Sequence, residues 1–217
     1  MTSFDDHAVK VAEFLLQIKA VKLQPEAPFT WASGIKSPIY CDNRKILSYP
    51  KIRNYIRQHF VQVINEFYVK PDVIAGVATG GIAIGALVAQ ELGLPFVYVR
   101  SEAKKHGMTN LIEGELEKGQ SVVVIEDLIS TGGSSLKAVE AIREKGCSVK
   151  GLVAIFTYGF DESVEAFKNA KCSMKTLTDY ETLLKTAVER NFVDEKDLKS
   201  LKEWRSDPAA WGQSVSK

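Results

Sequence analysis

Residues 122–135, VVVIEDLISTGGSS, constrain the fold of this chain more than any other stretch. Val122 to Ile125 are consecutive β-favouring apolar residues and read as a strand buried on both faces. The carboxylates Glu126 and Asp127 follow, where such a strand should end. Small and hydroxylated residues come next, Ser130, Thr131, Gly132, Gly133, Ser134 and Ser135, and open into a helical pattern over 136–145. A turn of this kind at a helix start offers unpaired N–H groups and the positive end of the helix dipole to an anion. Carboxylates beside it can accept hydrogen bonds from sugar hydroxyls. The string therefore predicts a sugar-phosphate cradle on an α/β framework.

The rest of the chain supports that framework. Residues 73–77 read as a strand, 81–92 as a helix stopped by Gly93, and 96–99 as a strand. A polar excursion over 100–119 precedes the strand at Val122, and a further strand is expected over 149–157. Strands alternating with helices imply a mostly parallel central sheet flanked by helices, with right-handed crossovers. Residues 6–21 carry helical periodicity, and Pro50 suits the first position of a helix running to Tyr68. Between them, residues 22–50 hold four prolines and short β-like pieces at 29–31 and 39–41, which reads as a small hood. Short helices are expected over 161–169, 179–191 and 194–204, and a strand near 174–177. The tail, 206–217, shows little pattern and is expected to pack loosely. One domain over 1–217 is expected, with the hood mainly from 1–50 and the core from 51–205.

Bulk properties exclude several classes. A net charge of +1 argues against a nonspecific grip on nucleic acid. Apolar runs are far short of a membrane span, and the first six residues lack the basic start of a signal peptide. The three cysteines, Cys41, Cys147 and Cys172, have neither zinc spacing nor disulfide arithmetic. A soluble cytoplasmic protein is expected. His7 and His59 fall in helical patterns and read as structural; only His106 lies among other cations.

In an open α/β sheet, ligands collect at the carboxyl ends of the strands. Here those ends are residues 78–81, 100–101, 126–127 and 157–158, each polar or glycine-rich. Thr79, Gly80 and Gly81 sit in GVATGG between a strand and a helix, where small residues let backbone N–H groups approach an anion. No lysine occupies the Walker position, so this is not a P-loop. The excursion gathers Arg100, Lys104, Lys105 and His106, cations suited to a lid that neutralises a departing anion.

The string at 122–135 resembles the phosphoribosyl-pyrophosphate (PRPP) motif of the type I phosphoribosyltransferases, which implies that fold. The hood string FTWASGIKSPIYCDNR, 29–44, is similar to the signature of the orotate-using members. Their lid pattern of Arg, Lys and His followed by Gly also resembles residues 100–107. That resemblance implies transfer of the phosphoribosyl group from PRPP to orotate with Mg²⁺, held mainly through PRPP and water. By position, Glu126 and Asp127 would hold the ribose hydroxyls, the amides and hydroxyls of Ser130 to Ser135 the 5′-phosphate, and Thr79 to Gly81 the pyrophosphate. Arg100, Lys104, Lys105 and His106 would cover the pyrophosphate, reaching into the neighbouring subunit of a homodimer. Lys36, Tyr40, Cys41 and Tyr158 are the orotate candidates. For Tyr40 and Tyr158 taken alone, a buried core aromatic is an equal reading.

Three positions depart from the family pattern. Ser101 stands where many members have Lys, Ala32 where some have a substrate-touching Lys, and the IFTYG string lacks an Arg that some relatives use. Two other functions share the PRPP motif. A purine-salvage phosphoribosyltransferase should lack the 29–38 hood string; a PRPP-binding regulator should carry an added DNA-binding domain or a basic face.

Overall fold

The computed structural model describes residues 4–30, 34, 36–102 and 111–215. Helix α1 (Phe4–Gln17) opens the chain. Its apolar periodicity continues to Val21, but Lys19 adopts a left-handed backbone, φ 55°, and the chain reverses there. Val21 consequently starts a strand instead of ending the helix. Four short strands follow: β1 (Val21–Leu23), β2 (Phe29–Thr30), β3 (Lys36–Ser37) and β4 (Ile39–Cys41). β1 pairs antiparallel with β4, and β2 with β3.

Helix α2 (Pro50–Phe67) begins at its proline, whose missing N–H is no loss in the first turn. Then come β5 (Val73–Val77), α3 (Gly80–Leu92), β6 (Phe96–Val99), β7 (Ile112–Glu113), β8 (Ser121–Ile129), α4 (Gly133–Glu144), β9 (Ser148–Thr157), α5 (Asp161–Asn169) and β10 (Met174–Asp179). Gly93 ends α3 in the left-handed conformation, φ 65°, as a C-terminal glycine should. Helices α6 (Tyr180–Glu189), α7 (Leu198–Ser206) and α8 (Pro208–Ser214) complete the chain.

The sheet has six strands in the order β10-β9-β8-β5-β6-β7. β5 runs parallel to both β6 and β8, β8 runs parallel to β9, and β7 pairs antiparallel with β6. In β5 and β8 successive residues are fully buried, Val73 and Ile74, Val122 and Val123, so both faces are covered. Val73, Ala75, Val122, Val124 and Leu152 join Val139, Ile142 and Phe167 of α4 and α5 in one core. α2 and α3 pack against the strands as well. Each such buried aliphatic contributes about 1.5–3 kcal/mol relative to exposure, so the four-residue run at Val122 makes β8 the natural centre of the sheet.

Two compact units are distinguished, one of residues 1–46 with 178–217 and one of 47–177. In the first, α1 packs on α6, and Tyr180 lies 5.5 Å from Trp204, its hydroxyl donating to the Leu201 carbonyl at 3.0 Å. The tail corrects the expectation of loose packing. Asp207 accepts from the Ala210 N–H at 2.9 Å as an N-cap and Pro208 takes the first turn. Trp211 is then buried, its indole N–H donating to Ser200 Oγ at 3.0 Å. Among the described residues, no helix is long and apolar enough to cross a membrane.

Candidate active site

The acidic pair lies inside β8, not at its end. The strand runs on to Ile129 because β9 continues beside it, Glu126 opposite Ala154, Leu128 opposite Phe156 and Ile129 opposite Thr157. A carboxyl group in that position is buried, and Glu126 is only 5% exposed. Two donors meet it: Ser135 Oγ at 3.0 Å from Oε2 and the Asp127 N–H at 3.0 Å from Oε1. Burial, and then the neighbouring Asp127 charge, pushes the Glu126 carboxyl up to about 9. Burial thus favours the neutral form of the Glu126 carboxyl in the ligand-free protein.

Asp127, its neighbour, is partly exposed and lies over the turn that opens α3. A methyl group added to Gly80 would collide with the Asp127 carboxyl, and one on Gly81 with the Ile125 carbonyl oxygen. Only glycine lets Thr79, Gly80 and Gly81 lie so close to β8. The Ala78 N–H donates to the Val99 carbonyl at 2.8 Å, fixing the start of the same turn to β6. Two of the predicted groups, the acidic pair and residues 79–81, are thus brought together.

The turn after β8 is the third. Gly132 has φ 85° and lies against Phe167, whose ring would stand 2.8 Å from any added Cβ. Thr131, Gly133 and Ser134 are exposed, Ser130 is half-buried, and Ser135 faces inward to Glu126. The Leu136 N–H returns to the Gly132 carbonyl at 2.9 Å, leaving the amides of the preceding first turn without helical acceptors. Those amides and the dipole of α4 suit a phosphate. The Ser135 hydroxyl is not part of that surface, which corrects its reading as a phosphate donor.

Arg100 stands at the root of the polar excursion. Its N–H donates to the Leu111 carbonyl at 2.8 Å and its guanidinium pairs with Glu113 at 3.4 Å. Val99 faces Ile112 and Tyr98 faces Glu113 across β6 and β7, so the excursion leaves and returns on one antiparallel stem. Lys104, Lys105 and His106 lie outside the described residues. Tyr158 is buried, edge-on to Phe156 at 5.4 Å, so its ring is a core aromatic here.

In the first unit, Lys36 Nζ donates to Thr30 Oγ1 at 2.8 Å across the β2–β3 pair. Tyr40 is 40% exposed, 5.7 Å from Phe29, with the Lys22 ammonium 5.9 Å from its ring centre. The Cys41 thiol donates to Asn43 Oδ1 at 3.4 Å, and Arg44 is held by Asp42 at 2.7 Å.

Sequence reasoning did not find Glu113 or the bond from Ser135 to Glu126. The apolar pair Leu111-Ile112, late in a polar excursion, was the available sign of a returning strand. Nothing in the spacing of Glu126 and Ser135 marks their contact.

Among the described residues no three or more His, Cys, Asp or Glu gather as a metal cage. With both Glu126 oxygens already accepting hydrogen bonds, the donor set fits a Mg²⁺ that brings its ligands from a substrate and water.

Residues 42–184 match the phosphoribosyl transferase domain family. The chain is 62% identical over 200 residues to the orotate phosphoribosyltransferase of Phocaeicola vulgatus, covering 92% of this chain and 94% of that one. The structure of orotate phosphoribosyltransferase from Aeropyrum pernix superposes with a TM-score of 0.74 at 27% identity, covering 85% of this chain and 99% of that one. Leishmania donovani UMP synthase matches with a TM-score of 0.75 at 28% identity, over 93% of this chain and 43% of that longer one.

Proposed function

The chain belongs to the orotate phosphoribosyltransferase family, and from that membership we propose how its residues divide the work. The reaction is transfer of the 5-phosphoribosyl group from PRPP to orotate, yielding orotidine 5′-monophosphate and pyrophosphate in pyrimidine synthesis. Asp127 clamps the ribose hydroxyls with support from Glu126, and the 130–134 turn with the α4 amides holds the 5′-phosphate. Thr79 to Gly81 receive the pyrophosphate, joined by Arg100, Lys104, Lys105 and His106. The observation that carries this reading is Asp127 lying against Gly80, with the open first turn of α4 following on the same strand.

The orotate nitrogen forms its bond to C1′ as the C1′–O bond to pyrophosphate breaks. Charge grows on the leaving group and the ribosyl centre becomes cation-like, so positioning and electrostatics suffice and no protein nucleophile is needed. Bound Mg²⁺ offsets charge on the pyrophosphate. Lys36, Tyr40 and Cys41 are assigned to orotate from the hood signature, Tyr40 as a stacking ring. Both units are assigned to one phosphoribosyltransferase domain, working as a cytoplasmic homodimer whose lid cations serve the partner's site.

The test is formation of orotidine monophosphate from orotate and PRPP, with and without Mg²⁺, in competition with uracil, adenine and hypoxanthine. Orotate alone should be consumed, and only with the metal. Use of adenine or hypoxanthine in its place would overturn the assignment.

A further inference from the structure

Ser135 has no place in the phosphate surface of α4, yet among the described residues it is one of the few buried polar ones, at 2% exposure. It sits in the first turn of α4, three residues after the left-handed Gly132. From there its Oγ reaches back to β8 and meets Glu126 Oε2 at 3.0 Å. The other Glu126 oxygen takes the N–H of Asp127 at 3.0 Å. One continuous path thus joins the turn that would seat the 5′-phosphate, through Ser135 and Glu126, to the backbone of the residue that would clamp the ribose.

We propose that Ser135 is a positioning residue for phosphoribosyl transfer, fixing the first turn of α4 to Glu126 so that the phosphate seat and Asp127 keep one geometry. This rests on the reading of Asp127 as the ribose clamp. Chemistry favours serine in this role. A hydroxyl can donate to a carboxylate or accept from a carboxylic acid, so the link holds whichever form Glu126 takes. Alanine at 135 would leave Oε2 buried without its donor. Threonine keeps the hydroxyl at the cost of one methyl group.

Ser135 touches neither substrate in this scheme and acts only through Glu126. A double-mutant cycle isolates that dependence. Steady-state rates with PRPP and orotate varied separately should be measured for Ser135→Ala, Ser135→Thr, Glu126→Met, Asp127→Asn and the Ser135→Ala/Glu126→Met double variant. Thermal unfolding of each gives the folded fraction. Ser135→Ala should raise KM for PRPP about 10-fold, as expected for loss of one hydrogen bond to a charged or acidic group. KM for orotate should stay within about twofold, and Ser135→Thr should recover most of the PRPP affinity. In the Glu126→Met background, where the side chain can no longer bond the Ser135 hydroxyl, the serine change should add nothing.

Additive losses in the double variant, or equal rises in both KM values, would overturn the Ser135 assignment while leaving the clamp intact. If Asp127→Asn itself left KM for PRPP unchanged, the clamp reading would fall and the Ser135 proposal with it. Should Ser135→Ala not fold, the Thr variant decides: a folded Thr variant with PRPP affinity as weak as that of Glu126→Met refutes the link.

Discussion

Gly80 and Asp127 compete for one volume: a Cβ on the glycine would stand inside the carboxyl group of the aspartate. The contact joins the first residue of α3 to β8, and it explains why the turn at 79–81 has no side chain at its centre. Gly80→Ala must displace either the Asp127 carboxyl or the turn. A misplacement of about 1 Å at a positioning group costs on the order of 100-fold in rate, so kcat/KM for PRPP should fall about 10- to 100-fold. Initial-rate kinetics with PRPP varied would show it. A variant with unchanged kcat/KM would mean that Asp127 does not set the ribose position.

Glu126 gives a prediction about stability against pH. Its carboxyl is raised from 4.5 to about 9 in the folded protein, first by burial and then by Asp127. Between those values the folded state holds a proton that the unfolded state has released. The stabilisation from this group is therefore complete below pH 4.5 and is lost as pH rises through 9. Glu126→Gln cannot ionise and keeps both a donor and an acceptor. In ligand-free protein the unfolding midpoint of the variant should gain on the wild type by several degrees between pH 5 and pH 9. Thermal unfolding at the two pH values measures the difference. A gap that stays constant would place the Glu126 carboxyl near its ordinary value.

These residues also mark how far the sequence is legible. The four apolar residues from Val122 announce a central strand, and Gly93 and Pro50 announce helix ends, because each signal is local and the structure carries all three. The end of β8 is not local. Two carboxylates argue for solvent, but pairing with β9 through Ile129 and the bonds from Ser135 and Asp127 make a buried Glu126 tenable. β7 is marked only by the apolar pair Leu111-Ile112, a two-residue strand that forms where β6 offers an edge. α8 escapes periodicity since it is short and its buried aromatic, Trp211, bonds to a partner on α7, Ser200. In the candidate site, residues 79–81 and 126–135 could be read from motif and spacing; Glu113 and the inward turn of Ser135 depend on tertiary partners, Arg100 after β6 and Glu126 within β8.

Gly132 separates two costs that usually come together. Its φ of 85° disfavours any side chain, and Phe167 would lie 2.8 Å from an added Cβ. Gly132→Ala should destabilise the fold by about 2 kcal/mol or more, part from backbone strain and part from the clash. In a Phe167→Leu background the clash component shrinks and the backbone component stays. The glycine change should then cost less than in the wild type but still about 1–2 kcal/mol. Denaturant unfolding of the four proteins measures both. Equal costs in the two backgrounds would show that Phe167 yields freely.

Whether one site draws on two subunits can be decided from the lid and the ribose clamp. Arg100 stands on the β6–β7 stem with its main chain bonded to Leu111, so the excursion begins at a fixed point. Its resemblance to the family lid implies that Lys104 serves the partner's site. Asp127→Asn and Lys104→Ala should each reduce turnover, the lysine change by about 100- to 1,000-fold as for other single-donor losses. In a mixed dimer of the two, a lid that crosses over collects both defects in one site and leaves the other intact. Random exchange of equal amounts makes half the dimers mixed, so activity should recover to about a quarter of the wild-type value. A lid that serves its own subunit leaves one defect in every site. Activity that stays at the level of the separate variants, under conditions where subunit exchange is shown independently by mass, would establish that alternative and end the shared-site reading.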